Sequence, residues 1–393
     1  MKKDFDYFST LLVQNIANKV GPTAPVVVSS ASYGYENASQ AEDIFSGNLN
    51  LPLYARVGNP TNAKLESVVA KLENGFGGIA TSSGMGALHM VFSSFLNSGD
   101  EILCVGGFFG GTYTLVNETL KRFGVKSSFC AVDDMDFIKT KLENGVKIVA
   151  LESVGNPSLR LPNLKDIALL CKKYETLLVV DNTATPILLR PLEIGADIVV
   201  HSSTKNMSGH SAALGGIAIF REVNPKNDKL LNEKYADIHK IIEKAGKKAL
   251  VVICKKRALR DVGMSANAFG SFLTLLGLET LSLRVQRVNE SVVQIVSKLN
   301  DKLDKVLHVN HPFLNNHIDH KRYMSDYPNG CGPIFTIDCG DKKRAFDLLD
   351  NLKLVTQTAN IGDNRTLALH MKSTIYRDFD EETRQYLGIS EDS

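Results

Sequence analysis

Three short stretches of this 393-residue chain place reactive side chains where a sheet would deliver them. In the first, SSGMGALHM (82–90), small residues follow a Gly-rich turn and open a helix. The backbone N–H groups at such a start have no intrahelical partner, and the helix dipole adds roughly half a positive charge, which suits a phosphate. A tight turn without a ligand would use the same residues. In the second, Asp181 closes the apolar run TLLVVD ahead of Asn182 and Thr183. A carboxylate delivered by an apolar strand to a dry place needs a positive partner or it protonates. A pyridinium nitrogen is one such partner; a structural helix cap is the plainer role. In the third, HSSTKNMSGH (201–210), the run ADIVV ends in small polar residues and then Lys205. A lysine half-buried at a strand end is driven toward its neutral, nucleophilic form. Ser202 and Thr204 can donate to phosphate oxygens. The alternative, a surface lysine, is weakened because Lys205 lies among small polar residues and not in a run of charge.

A phosphate cradle, a carboxylate for a pyridine nitrogen and a lysine for an aldehyde are together the requirements of pyridoxal 5′-phosphate (PLP).

Elements must hold these groups in place. EILCV (101–105), KIVAL (147–151), TLLVVD (176–181) and ADIVVH (196–201) are short, apolar and rich in β-branched residues, with helical stretches between them. Leu164, Ile167, Ala168, Cys171 and Tyr174 mark one helix stripe. Strands apolar on both faces and separated by helices predict a mostly parallel α/β sheet covered on both sides, with ligands at the carboxyl ends of its strands. Upstream, Asn59-Pro60 offers an N-cap and a first-turn proline, followed by Leu65, Val68, Val69 and Leu72 on one face. Residues 1–60 read as an arm with at most one helix near its start, 61–255 as the cofactor domain and 256–393 as a smaller C-terminal α+β domain. That last region carries a long helix over AFGSFLTLLGLETLSLRVQRVNESVVQIVSKL, the strand IFTIDC (334–339) and the helix KRAFDLLDNL.

Hydrophobic residues make up 44% and charged residues 22%, with a formal net charge of +2. That balance gives no reason to invoke nucleic acid or an anionic membrane. No run approaches the ~20 apolar residues that span a bilayer, and MKKDFDYFSTLLVQN lacks a signal-peptide core, so a cytoplasmic protein is expected. Six cysteines without a CxxC pair predict reduced, structural thiols. The histidines at 308, 311, 317 and 320 fit neither a zinc finger nor HExxH; they read as surface-loop residues, with no metal.

From about residue 25 onward the chain resembles the Cys/Met-metabolism PLP enzymes, through YARVGNPTN (54–62), SSGMGA (82–87), GGT (110–112), ESVGNP (152–157), VDNTATP (180–186), HSSTKNMSGH (201–210) and GLETLSLR (277–284). The resemblance implies PLP fold type I, with Lys205 as the Schiff-base lysine and proton shuttle and Asp181 on the pyridine nitrogen. It implies Asn156 on the ring oxygen, and Gly84, Met85, Ser202 and Thr204 around the phosphate. Tyr54 and Arg56 match residues that cross into the neighbouring subunit's site, which implies a homodimer or homotetramer. CKKRALRDVGMSANAF (254–269) and ANIGDNRTLALH (359–370) resemble the O-acetylhomoserine sulfhydrylase subgroup. The implied reaction is γ-replacement: Lys205 takes the Cα proton, loss of a Cβ proton expels acetate from Cγ, and a sulfur nucleophile adds to give homocysteine or methionine. Elimination of the methionine γ-lyase or cystathionine lyase type shares the early steps and is the alternative. A weakened PLP-binding protein with a structural or carrier-binding role is the reading from another class. Two departures bear on activity. Phe109 stands before GGT where the family has tyrosine, so a ring can stack there without a hydroxyl; Tyr54 or Lys205 would take over its proton work, or a carrier-protein thiocarboxylate would replace free sulfide. The family also continues past GISEDS into a strand with a carboxylate-gripping arginine, so the expectation is that either the chain is truncated or another residue, with Arg365 a candidate, substitutes.

Overall fold

In the computed structural model, which describes residues 5–18, 20–49, 51–301 and 308–389, seven strands form one sheet in the order β1-β7-β6-β5-β4-β2-β3. They are β1 Gly77–Thr81, β2 Glu101–Val105, β3 Lys126–Cys130, β4 Ile148–Glu152, β5 Leu177–Asp181, β6 Ile198–His201 and β7 Gly216–Phe220. Strands β2 to β6 run parallel, while β7 is antiparallel to both β1 and β6. The continuous apolar runs follow from burial on both faces. Alternate residues Ile148, Ala150, Leu177 and Val179 join one core with Met90, Val91 and Phe92. Their neighbours Val149, Leu151, Leu178 and Val180 join another with Leu164, Ile167 and Cys171.

The proline-initiated helix α3 (Pro60–Leu72) begins as expected: Asn59 Oδ1 accepts from Thr61 N–H at 2.9 Å, and Leu65, Val68, Val69 and Leu72 are buried. The arm holds two helices and not one, α1 (Phe5–Ile16) and α2 (Ala38–Ser46). Short α2 is fixed by caps that pattern alone understates: Asn37 accepts from Gln40 N–H, and Gly47 turns left-handed after it. Phe8, Leu12 and Ile16 of α1 pack into a core shared with α3 and with Leu275, Leu278 and Leu281.

The expected long helix is two helices, Ala268–Glu279 and Leu281–Asn300, bent by 62° at Thr280. The bend aims Leu275 and Leu278 into the α1–α3 core and Val292 and Val296 into the small domain. No single described helix is long and apolar enough to cross a membrane. The small domain pairs β8 (His308–Asn310) with β9 (Thr336–Asp338) antiparallel, and β10 (Thr356–Gln357) with β11 (Leu367–Ala368) parallel. The expected surface histidine His311 is instead buried: Nε2 faces Cys331 Sγ at 3.3 Å, and Nδ1 accepts from Phe313 N–H at 3.1 Å. Burial moves its pKa down to about 4. All six cysteines are free thiols and buried.

Candidate active site

The carboxyl ends of β4, β5 and β6 and the start of helix α4 (Gly84–Phe95) converge on one place. Ser202 N–H donates to Thr183 Oγ1 at 2.7 Å, and Thr183 N–H donates to Asp181 Oδ1 at 2.9 Å. Gly84 lies so near Ser202 that a Cβ on it would sit 2.7 Å from Ser202 Cβ. That close approach joins the phosphate-type helix start to the lysine loop. Ser83 caps α4 by accepting from Gly86 N–H at 3.0 Å, leaving the first N–H groups to face outward from the turn.

Exposure alternates along the chain at this place. Gly84, Met85, Asn156, Asp181, Ser202, Thr204 and Lys205 are all partly exposed, while Gly155, Pro157, Val180, Asn182, His201, Ser203 and Asn206 beside them are buried. The residues named from the sequence therefore line an opening, and their neighbours anchor them. Thr204 does both: its hydroxyl donates to Gly215 O at 3.0 Å and accepts from Gly215 N–H at 3.0 Å, bracing the loop that carries Lys205.

Lys205 Nζ donates to Asn360 Oδ1 at 2.7 Å, and desolvation lowers its pKa. Asn360, which sequence reading left without a role, lies in the ANIGD stretch of the small domain. Arg365 of the same stretch pairs with Asp363 at 3.0 Å. Desolvation raises the Asp181 carboxyl, offset in part by Thr183 and by His201. His201 Nε2 meets Glu73 Oε1 at 2.6 Å deep in the core, and Asn182 Nδ2 donates to the same oxygen at 3.1 Å. Thr185 then donates to Asn182 Oδ1 at 2.6 Å. The polar residues of VDNTATP thus form the foundation beneath Asp181.

Phe109 is 37% exposed, and a Cβ on Gly111 would meet its ring at 2.8 Å and Met85 Sδ at 3.4 Å, which puts ring and thioether on the same side of the turn. Phe109 N–H donates to Glu152 Oε1 at 2.8 Å, and Asn156 N–H donates to Glu152 Oε2 at 3.1 Å. Glu152 had been read only as part of ESVGNP. The missed signal was the one used for Asp181: a carboxylate closing an apolar strand.

Tyr54 and Arg56 lie apart from this cluster, on the arm. Arg56 stacks on the Tyr54 ring, 5.6 Å from its centroid, and its guanidinium donates to Arg260 O. The 264–265 segment below them reaches the start of α4, where Ser82 N–H donates to Met264 O at 2.9 Å. Among the described residues no group of three or more His, Cys, Asp or Glu side chains could hold a metal ion.

The residues fit PLP. Gly84, without a side chain, lets the start of α4 close on the Ser202 loop so that both face one place; Asp181 is a desolvated carboxyl suited to a cationic ring nitrogen, and Lys205 is an amine biased toward its neutral form.

Residues 9–393 match the family described as Cys/Met metabolism PLP-dependent enzyme. Homocysteine synthase of Schizosaccharomyces pombe is 33% identical over 405 residues, covering 100% of this chain and 94% of that protein. O-acetyl-L-homoserine sulfhydrylase 1 of Thermus thermophilus is 32% identical, covering 92% of this chain and 88% of that protein. L-methionine gamma-lyase of Fusobacterium nucleatum subsp. polymorphum is 30% identical, covering 96% and 89%. A Campylobacter jejuni structure described as an O-acetylhomoserine (thiol)-lyase, with a pyridoxyl-lysine monophosphate, superposes with a TM-score of 0.90 at 28% identity, covering 98% of this chain and 93% of that one.

Proposed function

We propose, from the premise that this chain belongs to the Cys/Met-metabolism family of PLP-dependent enzymes, that it replaces the γ-substituent of O-acetylhomoserine or a related homoserine ester with sulfur, giving homocysteine or methionine. The fold is PLP fold type I. The observation that carries the reading is the meeting of Lys205, Asp181 and the Gly84–Ser202 contact at one sheet edge.

Bound PLP supplies an aldehyde for the substrate amine and a ring that spreads the charge left when a proton departs. This chain's residues do the rest. Gly84 and Met85 N–H groups and the Ser202 hydroxyl would hold the phosphate, while Thr204, its hydroxyl proton given to Gly215 O, would brace the loop beneath it. Asp181 would hold the ring nitrogen and Asn156 the ring oxygen, with Phe109 placed to pack against the ring. Lys205 takes the proton from the substrate Cα and passes one onward; its desolvated amine is suited to that work. Asn360 receives the Lys205 ammonium through its amide oxygen. Acetate leaves Cγ with its bonding electrons, and the sulfur nucleophile forms the new Cγ–S bond. Tyr54 and Arg56 complete the neighbouring subunit's site, in a homodimer or a tetramer of two such dimers. Free sulfide, a thiol or a carrier-borne sulfur can serve as donor. Six buried reduced thiols suit a cytoplasmic setting.

The test is the visible spectrum of the purified protein and of Lys205→Ala, followed by product analysis with O-acetylhomoserine with and without sulfide. A coloured wild type, a colourless variant and homocysteine formed only with sulfide are expected. Release of an α-keto acid and ammonia without sulfide would replace this reading with elimination. A wild type that takes up no PLP would refute it.

A further inference from the structure

One carboxylate has no part in the chemistry above, yet it touches the mounts of three groups that have. Glu152 ends β4, and its two oxygens accept the N–H groups of Phe109 and Asn156. Those residues approach from separate elements: Phe109 precedes the short helix Gly110–Thr114, and Asn156 lies in the turn after β4. In sheet register Glu152 stands beside Asp181 on β5. We infer that Glu152 is a positioning residue for the cofactor ring: its two carboxylate oxygens fix the Phe109 ring relative to the Asn156 amide. The inference rests on the PLP reading of the site and extends it to a residue that touches neither cofactor nor substrate.

The surroundings of Glu152 support this role. Asp181 faces it from β5, and Tyr376 and Tyr386 face it from the C-terminal segment. Tyr376 also donates to Asn156 O at 3.2 Å and packs against Gly110, so both loops held by Glu152 are backed by the same phenol. Arg160 shares a small crevice with Glu152, but its Nε bonds Asp319 at 2.7 Å and its Nη2 bonds Asp133 at 3.0 Å. Behind Asp181, His201 is held by Glu73. Two carboxyls therefore adjoin in a desolvated place, and the arginine and histidine near them are bonded to other acids. Desolvation, and then the charge of Asp181, push the Glu152 carboxyl well up, while its two N–H partners pull it down. Adjoining carboxyls of this kind ionise less readily together than alone. Two N–H donors on one carboxyl favour its charged form and make it a rigid spacer.

The test titrates apo wild type, Glu152→Gln and Glu152→Asp with PLP from neutral to acid pH, following the visible absorption of the bound cofactor. Glutamine offers one acceptor where glutamate offers two, so at neutral pH PLP should bind about tenfold more weakly. The acid limb should also change. Glu152 has a raised pKa, so its charged, two-acceptor form is lost as pH falls through it; glutamine does not titrate, and this limb drops out of Glu152→Gln. Glu152→Asp keeps the charge but withdraws it by one methylene: weaker binding with the limb retained is expected. Unchanged affinity in both variants overturns the proposal. Weaker binding of Glu152→Gln with an unmoved limb also overturns it, because the limb then belongs to another group. If Glu152→Gln does not fold, wild-type affinity in Glu152→Asp is the overturning result. A wild type that takes up no PLP fails the site reading itself, whereas a binding wild type with indifferent variants fails only this inference.

Discussion

Gly84→Ala probes the close approach on which the phosphate site depends. An added Cβ would lie 2.7 Å from Ser202 Cβ, 3.0 Å from Ser202 Cα and 3.1 Å from Ser202 Oγ. Two of those three atoms are fixed to the backbone geometry of the lysine loop, so rotating the Ser202 side chain does not relieve the clash. Restoring an ordinary 3.4 Å contact from 2.7 Å needs a shift of about 0.7 Å, beyond what a packed contact absorbs without loss. Overpacking of this kind costs about 1–3 kcal/mol. Expressed in the geometry that holds the phosphate, that is a loss of about 5- to 150-fold in PLP affinity. Gly86→Ala is the control: its Cβ would meet nothing nearer than Ser83 Oγ at 3.3 Å, with Ser82 Oγ at 3.5 Å and Met264 Cβ at 3.6 Å, and alanine favours the helix by up to about 1 kcal/mol. The assay is reconstitution of each apo protein with PLP, followed by visible absorption, together with a thermal melt. The expected pattern is weakened binding for Gly84→Ala alone and a Tm that rises only for Gly86→Ala. A Gly84→Ala protein that binds PLP like wild type and melts like Gly86→Ala would refute the cradle.

Three further outcomes are expected. Phe109→Tyr fits without a clash, because the ring is 37% exposed, and should raise kcat with free sulfide by at least about tenfold if the missing hydroxyl limits proton transfer; an unchanged kcat refutes that. Asn360→Ala removes the 2.7 Å acceptor of Lys205 Nζ and should cut kcat about tenfold at unchanged PLP content; lost PLP with kcat per bound cofactor retained would deny the amide a role at the lysine. His311 titrates near 4 when buried and near 6.5 when unfolded, so the unfolded chain takes up the proton first and stability falls as pH drops between those values, by up to about 3 kcal/mol. Denaturant midpoints should therefore decline more steeply toward acid in wild type than in His311→Asn; equal slopes refute the assignment.

The sheet was legible where its strands are apolar on both faces. TLLVVD and ADIVVH could be read as strands delivering Asp181 and the lysine loop because no amphipathic alternation interrupts them. GGIAT and KSSFC were harder: glycine and serine carry little strand preference, and β3 lies at the sheet edge with Lys126 exposed. The break at Thr280 was hidden because buried leucines recur on both sides of it, Leu275 and Leu278 before and Leu281 after. Within the site, residue type and strand-end position pointed to Lys205 and Asp181. Glu152 closes the apolar run KIVAL as Asp181 closes TLLVVD, but its bonds to Phe109 and Asn156 and its place beside Asp181 come from turns and from the register of β4 against β5, which the strand pattern does not encode. Asn360 escaped because its contact spans 155 residues. His311 was misread because a polar stretch between elements resembles surface, while its burial depends on the distant Cys331 and Tyr323.

The span between Lys205 and Asn360 also orders events in time. Asp181 ends β5, Gly84 opens the helix after β1, and Ser202 and Lys205 follow β6, whereas the groups that close over them come later: Asn360 onto Lys205, Tyr376 onto Asn156, and Tyr386 onto Gly106 at 2.6 Å. At ribosomal speeds of ~5–20 residues per second, the lysine is made about 8 to 30 seconds before its amide partner. The half of the pocket set at the strand ends is thus synthesised open, and the cover arrives after it. Cofactor capture can precede closure in the nascent chain, while a refolding full-length chain must close loops of 155 to 280 residues to reach the same state.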